Sequence, residues 1–257
     1  MQSISVLNLI LLFAFAFLAG LIDSIAGGGG LIQLPAVMTF LPGFSVVQQL
    51  AVNKLSSSMG TLAAALQFSH RKLVRWREIL PVACVALFAS IGGAETALHM
   101  PNGWMKPLVV GLLGAVILYT YLKKDLGSTV QPSHFSPKSQ KILSLAAGVV
   151  IGFYDGFFGP GVGSFLILVF ITLFGWDFLH ATASAKIVNL ATNAGALILF
   201  FSSGMVHVRI GLCMAVFNIL GSVCGVRLAV LKGSRFIRVL FLCVTCGLFI
   251  KQLIGLF

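Results

Sequence analysis

Asp23 and Asp155 lie 132 residues apart, and so do Lys54 and Lys186. Only 9% of the chain is charged, so coincidence of acids and bases at one offset carries weight that Leu on Leu would not. The same offset aligns the two halves without a gap. Gly20-Leu-Ile-Asp23 falls on Gly152-Phe-Tyr-Asp155, Gly27 and Gly29 fall on Gly159 and Gly161, and Gly43 falls on Gly175. Phe68 meets Phe200, Arg77 meets Arg209, Ser90 meets Ser222 and Gly93 meets Gly225. Self-similarity at one fixed spacing marks an internal duplication.

The chain cannot build a soluble surface. It has 257 residues, 58% of them hydrophobic, whereas a soluble domain carries roughly 25% charged residues. Lipid must solvate it, and at about 20 residues per helical span there is room for roughly eight to ten segments. Each half holds five apolar runs: 6–26, 31–42, 48–69, 79–98 and 104–122, then 142–158, 164–175, 182–203, 210–230 and 236–256. The expected organisation is a first transmembrane repeat over 1–122, a polar cytoplasmic linker over 123–141 and a second repeat over 142–257. The first apolar run lacks the basic flank of a signal peptide and reads as a membrane helix. Cys243 and Cys246 have the spacing of a redox or metal pair, but no second pair or His cluster accompanies them, and they read as packing residues.

Five crossings per half would make the second half enter from the opposite face. Basic residues test this, because cytoplasmic loops collect Lys and Arg. Arg71, Lys72, Arg75 and Arg77, then Lys123, Lys124, Lys138 and Lys141, then Lys232, Arg235 and Arg238 occupy three loops that share one face in this scheme. The opposite loops, 99–106 and 204–209, hold one basic residue each, Lys106 and Arg209. The expected fold is therefore all-α and polytopic, with two inverted five-segment repeats. Its place is the inner membrane of a bacterium, with both termini periplasmic. The second run of each half is short: about 12 residues reach roughly 18 Å as helix, less than the ~30 Å hydrocarbon layer. Each is half of a broken helix or part of a re-entrant hairpin.

Three sets of residues could carry chemistry. Gly27, Gly28, Gly29 and Gly30, matched by Gly159, Gly161 and Gly163, interrupt apolar helices. Each glycine costs about 1 kcal/mol in a helix interior, and irregular backbone at membrane depth is tolerated where it lines a cavity. Helix N-termini beginning after such breaks attract anions, although small residues also serve close helix packing. Asp23 and Asp155 precede the breaks; they suit ion coupling or gating, or cap a half-helix. Lys54, with Asn53 and Ser57, and Lys186, with Asn189 and Asn193 on its helix, offer a cation and hydrogen-bond donors to an oxyanion. The alternatives for the lysines are snorkelling or pairing with Asp23 and Asp155. Glu95 and Arg227 occupy matching positions and could pair across the repeat, and the five histidines fall near segment ends.

The run Gly20-Leu-Ile-Asp-Ser-Ile-Ala-Gly-Gly-Gly-Gly-Leu-Ile-Gln-Leu-Pro35, with Ala-Val-Asn53-Lys54, its echo around Lys186, and Gly152 to Gly163, resembles the sulfite exporter TauE/SafE family of membrane transporters. The resemblance covers essentially the whole chain, with Gly159-Pro160-Gly161 departing from the plain glycine run of the first half. It implies transport of small sulfur-containing anions such as sulfite or organosulfonates. An anion channel and transport of other small organic anions are the alternatives. No nucleophile–base or metal constellation suggests an enzyme, a catalytic residue or a cofactor. The expected partners are a small anionic substrate and the lipid bilayer, not nucleic acid, and both proton coupling and a homo-oligomer remain open.

Overall fold

The computed structural model describes residues 5–122, 133 and 135–232. Within them the chain is all-helical: α1 (Val6–Ala26), α2 (Gly30–Phe40), α3 (Val46–His70), α4 (Trp76–His99), α5 (Asn102–Leu122), α6 (Pro137–Phe157), α7 (Val162–Phe174), α8 (Phe178–Ser202) and α9 (Val208–Lys232). The apolar run 236–256, linker residues 123–132, His134, Arg235, Arg238 and the Cys243/Cys246 pair lie outside the described residues. By length and composition α1, α4, α8 and residues Val208–Ala229 of α9 can each cross a membrane. α3 and α8 are each 25 residues long, and each buries six polar side chains: Gln49, Asn53, Lys54, Ser56, Ser58 and Thr61 in α3, and Thr182, Ser184, Lys186, Asn189, Thr192 and Asn193 in α8. Leu80, Phe88, Trp104, Val150 and Ile198 point outward, as lipid-facing side chains must.

α6 begins five residues before the apolar run that announced it. Ser136 caps it by accepting from the Ser139 amide, and Pro137 occupies its first turn. A proline there loses no helical hydrogen bond, so the residue that looked like linker punctuation starts the helix.

The two short helices fold back on the helices before them. The rings of Phe15 and Phe40 stack at 5.9 Å, which brings the far end of α2 beside the middle of α1. In the second half Tyr154 meets Phe165 at 5.9 Å, and Ser133 donates from Oγ to the Leu173 carbonyl at 2.6 Å. The end of α7 therefore returns to the start of α6. Both short runs thus form hairpins with the helices before them. Gly27 at φ 73° and Gly159 and Gly161 at φ 101° and 87° make the reversals, a backbone region open to glycine at little cost.

The halves interlock. α1 packs on α9, and its counterpart α6 packs on α4. Small residues permit the approach: a Cβ on Gly20 would sit 2.1 Å from the Asn218 carbonyl oxygen, and one on Gly152 would sit 2.5 Å from that of Ala86. Residues 20 and 152, and 86 and 218, are both 132 apart. Ser90 and Ser222, matched in the sequence, perform matching tasks. Ser90 Oγ donates to the Thr192 carbonyl and Ser222 Oγ to that of Gly60. α3 and α8 run antiparallel, since the Arg75 amide after α3 reaches Ser184 near the start of α8 at 3.2 Å. Phe44 before α3 stacks at 4.1 Å on His207 beyond α8.

Candidate functional site

The tips of the two hairpins touch. The Ser164 amide donates to the Gly27 carbonyl at 3.2 Å, and Ser164 Oγ donates to the Ala26 carbonyl at 2.7 Å. Around this junction the third helix of each half delivers its lysine. A capping box of Ser45 and Gln48 starts α3, and Asp177 starts α8 by accepting from the Leu179 and His180 amides. In each helix the lysine then falls about 12 Å along the axis, at about 1.5 Å per residue.

The lysines cross over to pair. Lys54 of the first half forms an ion pair with Asp155 of the second, both side chains 2% exposed. Lys186 of the second half pairs with Asp23 of the first, Nζ to Oδ2 at 2.6 Å, and also donates to the Asp23 main-chain carbonyl. Thr192 Oγ1 donates to the second oxygen of Asp155. Asp23 accepts from the Gly29 amide at 3.3 Å and, at 3.5 Å, from Thr61 Oγ1. A lone charge so deeply buried would cost several kcal/mol. Pairing with a carboxylate, one of the alternatives the sequence left open, resolves that cost at both sites.

Between the tips lies a small cavity of about 30 Å³ lined by Asp23, Gly27, Gly30, Asn53, Lys54 and Ser57 from the first half. Asp155, Gly159, Gly161, Gly163, Asn189 and Asn193 line it from the second, with Thr61 beside them. Twelve of the fifteen residues singled out from the sequence are thus brought together. Gly28, Gly29 and Lys186 stand outside the lining: the two glycines form the turn into α2, and Lys186 is held by Asp23. Asn193 donates to Asn189 Oδ1 at 3.2 Å, whereas the buried Asn53 Oδ1 has no hydrogen-bond partner among the described residues.

Thr61 and Thr192 escaped the sequence analysis. Thr61 is two helical turns beyond Lys54, a spacing that could have revealed it; Thr192 faces Asp155 only through tertiary packing. Glu95 and Arg227 do not pair. Both are exposed, and Glu95 instead meets His99, one turn along α4, at 3.4 Å. A single turn of helix makes that partner far easier to reach than a matched position in the other half.

The family model described as Sulfite exporter TauE/SafE matches residues 12–251. A probable membrane transporter protein, ORF9, from Sinorhizobium sp. is 39% identical over 253 residues, covering 98% of this chain and 95% of its own length. The probable membrane transporter protein YfcA of Escherichia coli K12 is 37% identical over 250 residues, covering 97% and 91%. A probable membrane transporter protein of Haemophilus influenzae is 33% identical over 230 residues, covering 90% and 88%. No solved structure matches the chain. The chain belongs to the sulfite exporter TauE/SafE family of membrane transporters, and its role is transport, not enzymatic catalysis.

Proposed function

We propose that the protein is a secondary transporter of a small sulfur-containing anion, of the sulfite or organosulfonate type, in a bacterial inner membrane. The observation that carries this is the convergence of a buried lysine, amide side chains and both glycine tips on one small cavity. Gly27 to Gly30 and Gly159, Gly161 and Gly163 supply backbone N–H groups and helix N-termini. Asn53, Lys54, Ser57, Asn189 and Asn193 supply side-chain donors, with Lys186 holding the first tip. Asp23 and Asp155 hold the lysines and so gate or couple substrate binding. The antiparallel run of α3 and α8 supports an inverted repeat, the plan on which many secondary transporters alternate access around a midplane site. Periplasmic termini follow from the basic loops.

The cavity also favours a carrier over a channel. Its 30 Å³ holds about two waters, so substrate entry requires the tips or flanking helices to move apart. A pore conducts through a continuous path. The test is flux into proteoliposomes across sulfite, methanesulfonate, taurine and acetate. Saturable uptake of a sulfur anion is expected. Uptake of acetate alone would replace the substrate class, and linear, non-saturating flux would replace the carrier with a channel.

A further inference from the structure

We infer that the two lysines, equivalent by duplication, are unequal in use: Lys54 is the substrate-binding lysine, Asp155 is the internal anion that occupies it between substrates, and the Lys186–Asp23 pair is a fixed clamp on the first hairpin. The inference rests on the transport function proposed above and assigns its coupling to one of the two pairs.

Lys54 lines the cavity and Lys186 does not. Lys186 spends two donors on one residue, bonding both the carboxylate and the main-chain carbonyl of Asp23. That carbonyl sits in the last turn of α1, where a cation satisfies the helix end and its negative dipole. The Lys54 ammonium, among the described residues, makes one hydrogen bond, to Asp155. The surroundings are unequal too. Asn53 lines the cavity beside Lys54, 4% exposed, and its amide NH2 can donate to an anion; its counterpart beside Lys186 is Ala185. Thr192 holds Asp155 by its second oxygen, and the counterpart of Thr192 is Gly60. When Lys54 turns away, Asp155 therefore keeps a donor in Thr192.

An anion that joined Lys54 beside an ionised Asp155 would place two negative charges on one buried cation. Protonating a carboxylate oxygen of Asp155 from the aqueous side restores neutrality, so one proton accompanies one anion. The charged groups facing Asp155 are Lys54 from α3 and, across the cavity, Asp23 from α1, itself neutralised by Lys186 of α8. The cavity linings from α2 and α7 are glycines, and α4 presents Ser90 to this part of α6.

The test uses full-chain protein in detergent and methanesulfonate, which stays ionised and so cannot itself report pH. Binding is measured between about pH 5 and 8. Wild type should tighten as pH falls, by at most about tenfold per pH unit, the limit for one linked proton. Asp155→Asn should bind with no pH dependence. Because single changes leave a buried charge, two neutral doubles are compared. Lys54→Met with Asp155→Leu should fold and lose binding. Lys186→Met with Asp23→Leu should melt at lower temperature and bind more weakly by less than about tenfold, with the tightening at low pH retained. Binding lost in the Lys186 double and kept in the Lys54 double, or wild-type binding flat with pH, overturns the inference alone. Wild type that binds neither methanesulfonate nor sulfite overturns the transport proposal with it.

Discussion

Gly27→Ala probes the junction on which the site is built. A Cβ at this position would lie 2.3 Å from the Gly163 carbonyl carbon and 2.6 Å from both its Cα and the Ser164 nitrogen. Ordinary carbon contacts sit near ~3.5–4 Å, so the tips must separate by more than about 1 Å. Gly27 also holds φ at 73°, where a side chain costs about 1–2 kcal/mol. Overpacking adds about 1–3 kcal/mol. Separation stretches the Ser164 hydrogen bonds to Gly27 and Ala26, worth about 1 kcal/mol each. The total is roughly 4–7 kcal/mol, enough to lower the melting temperature of purified protein by many degrees and to abolish flux. Gly43→Ala is the control, because nothing lies within 4 Å of its would-be Cβ; it should shift stability by less than about 0.5 kcal/mol. If Gly27→Ala melts and transports like Gly43→Ala, the hairpin tips do not meet as described.

Other perturbations read other parts of the structure. Ser222→Ala removes the donor to the Gly60 carbonyl and the partner of Ser24, at 2.6 and 2.7 Å. It should cost about 1–3 kcal/mol, seen as a lower melting temperature, with Ser90→Ala behaving alike. Asp177→Ala should cost about 1 kcal/mol at neutral pH through loss of the α8 cap. Burial pushes the Asp177 carboxyl up, but the amides of His180 and Leu179 and the His180 ring outweigh it and hold it below its ordinary value. A depressed acid stabilises the folded state above its unfolded pKa, so the wild-type advantage should be full above about pH 4 and vanish as pH falls through the lower folded value. Thermal melts of wild type and mutant across that range check the sign. Cys84, Cys213 and Cys224 are exposed on apolar helices, so a membrane-permeant thiol reagent should label them and a bulky impermeant one should not.

Much of the fold was legible because charge is rare in this chain. Matched Asp and Lys residues revealed the duplication, and the same offset reappears in contacts such as Gly20 on Asn218 and Gly152 on Ala86. The short runs were legible from helix length, since about 12 residues cannot cross hydrocarbon. The direction of their return was not, because a broken helix and a hairpin share one hydropathy pattern. The site residues were legible as types that membranes exclude unless they are used. Their partners were not. An offset says which residues are equivalent, not which ones touch, so the crossing of Lys54 to Asp155 and of Lys186 to Asp23 emerged only from packing. The same limit hid Thr192, an unremarkable hydroxyl until α8 lays it against Asp155.

The central claim is that substrate passes through the cavity between the tips, which opens to one face and then the other. Ser57 lines that cavity and can report on it as Ser57→Cys in protein whose five native cysteines are replaced by alanine. Labelling with a small impermeant thiol reagent is followed from each side of the membrane in turn, with and without sulfite. The account predicts labelling from either side and slowing by sulfite on both. Labelling from neither side, or at rates that sulfite leaves unchanged, would contradict it.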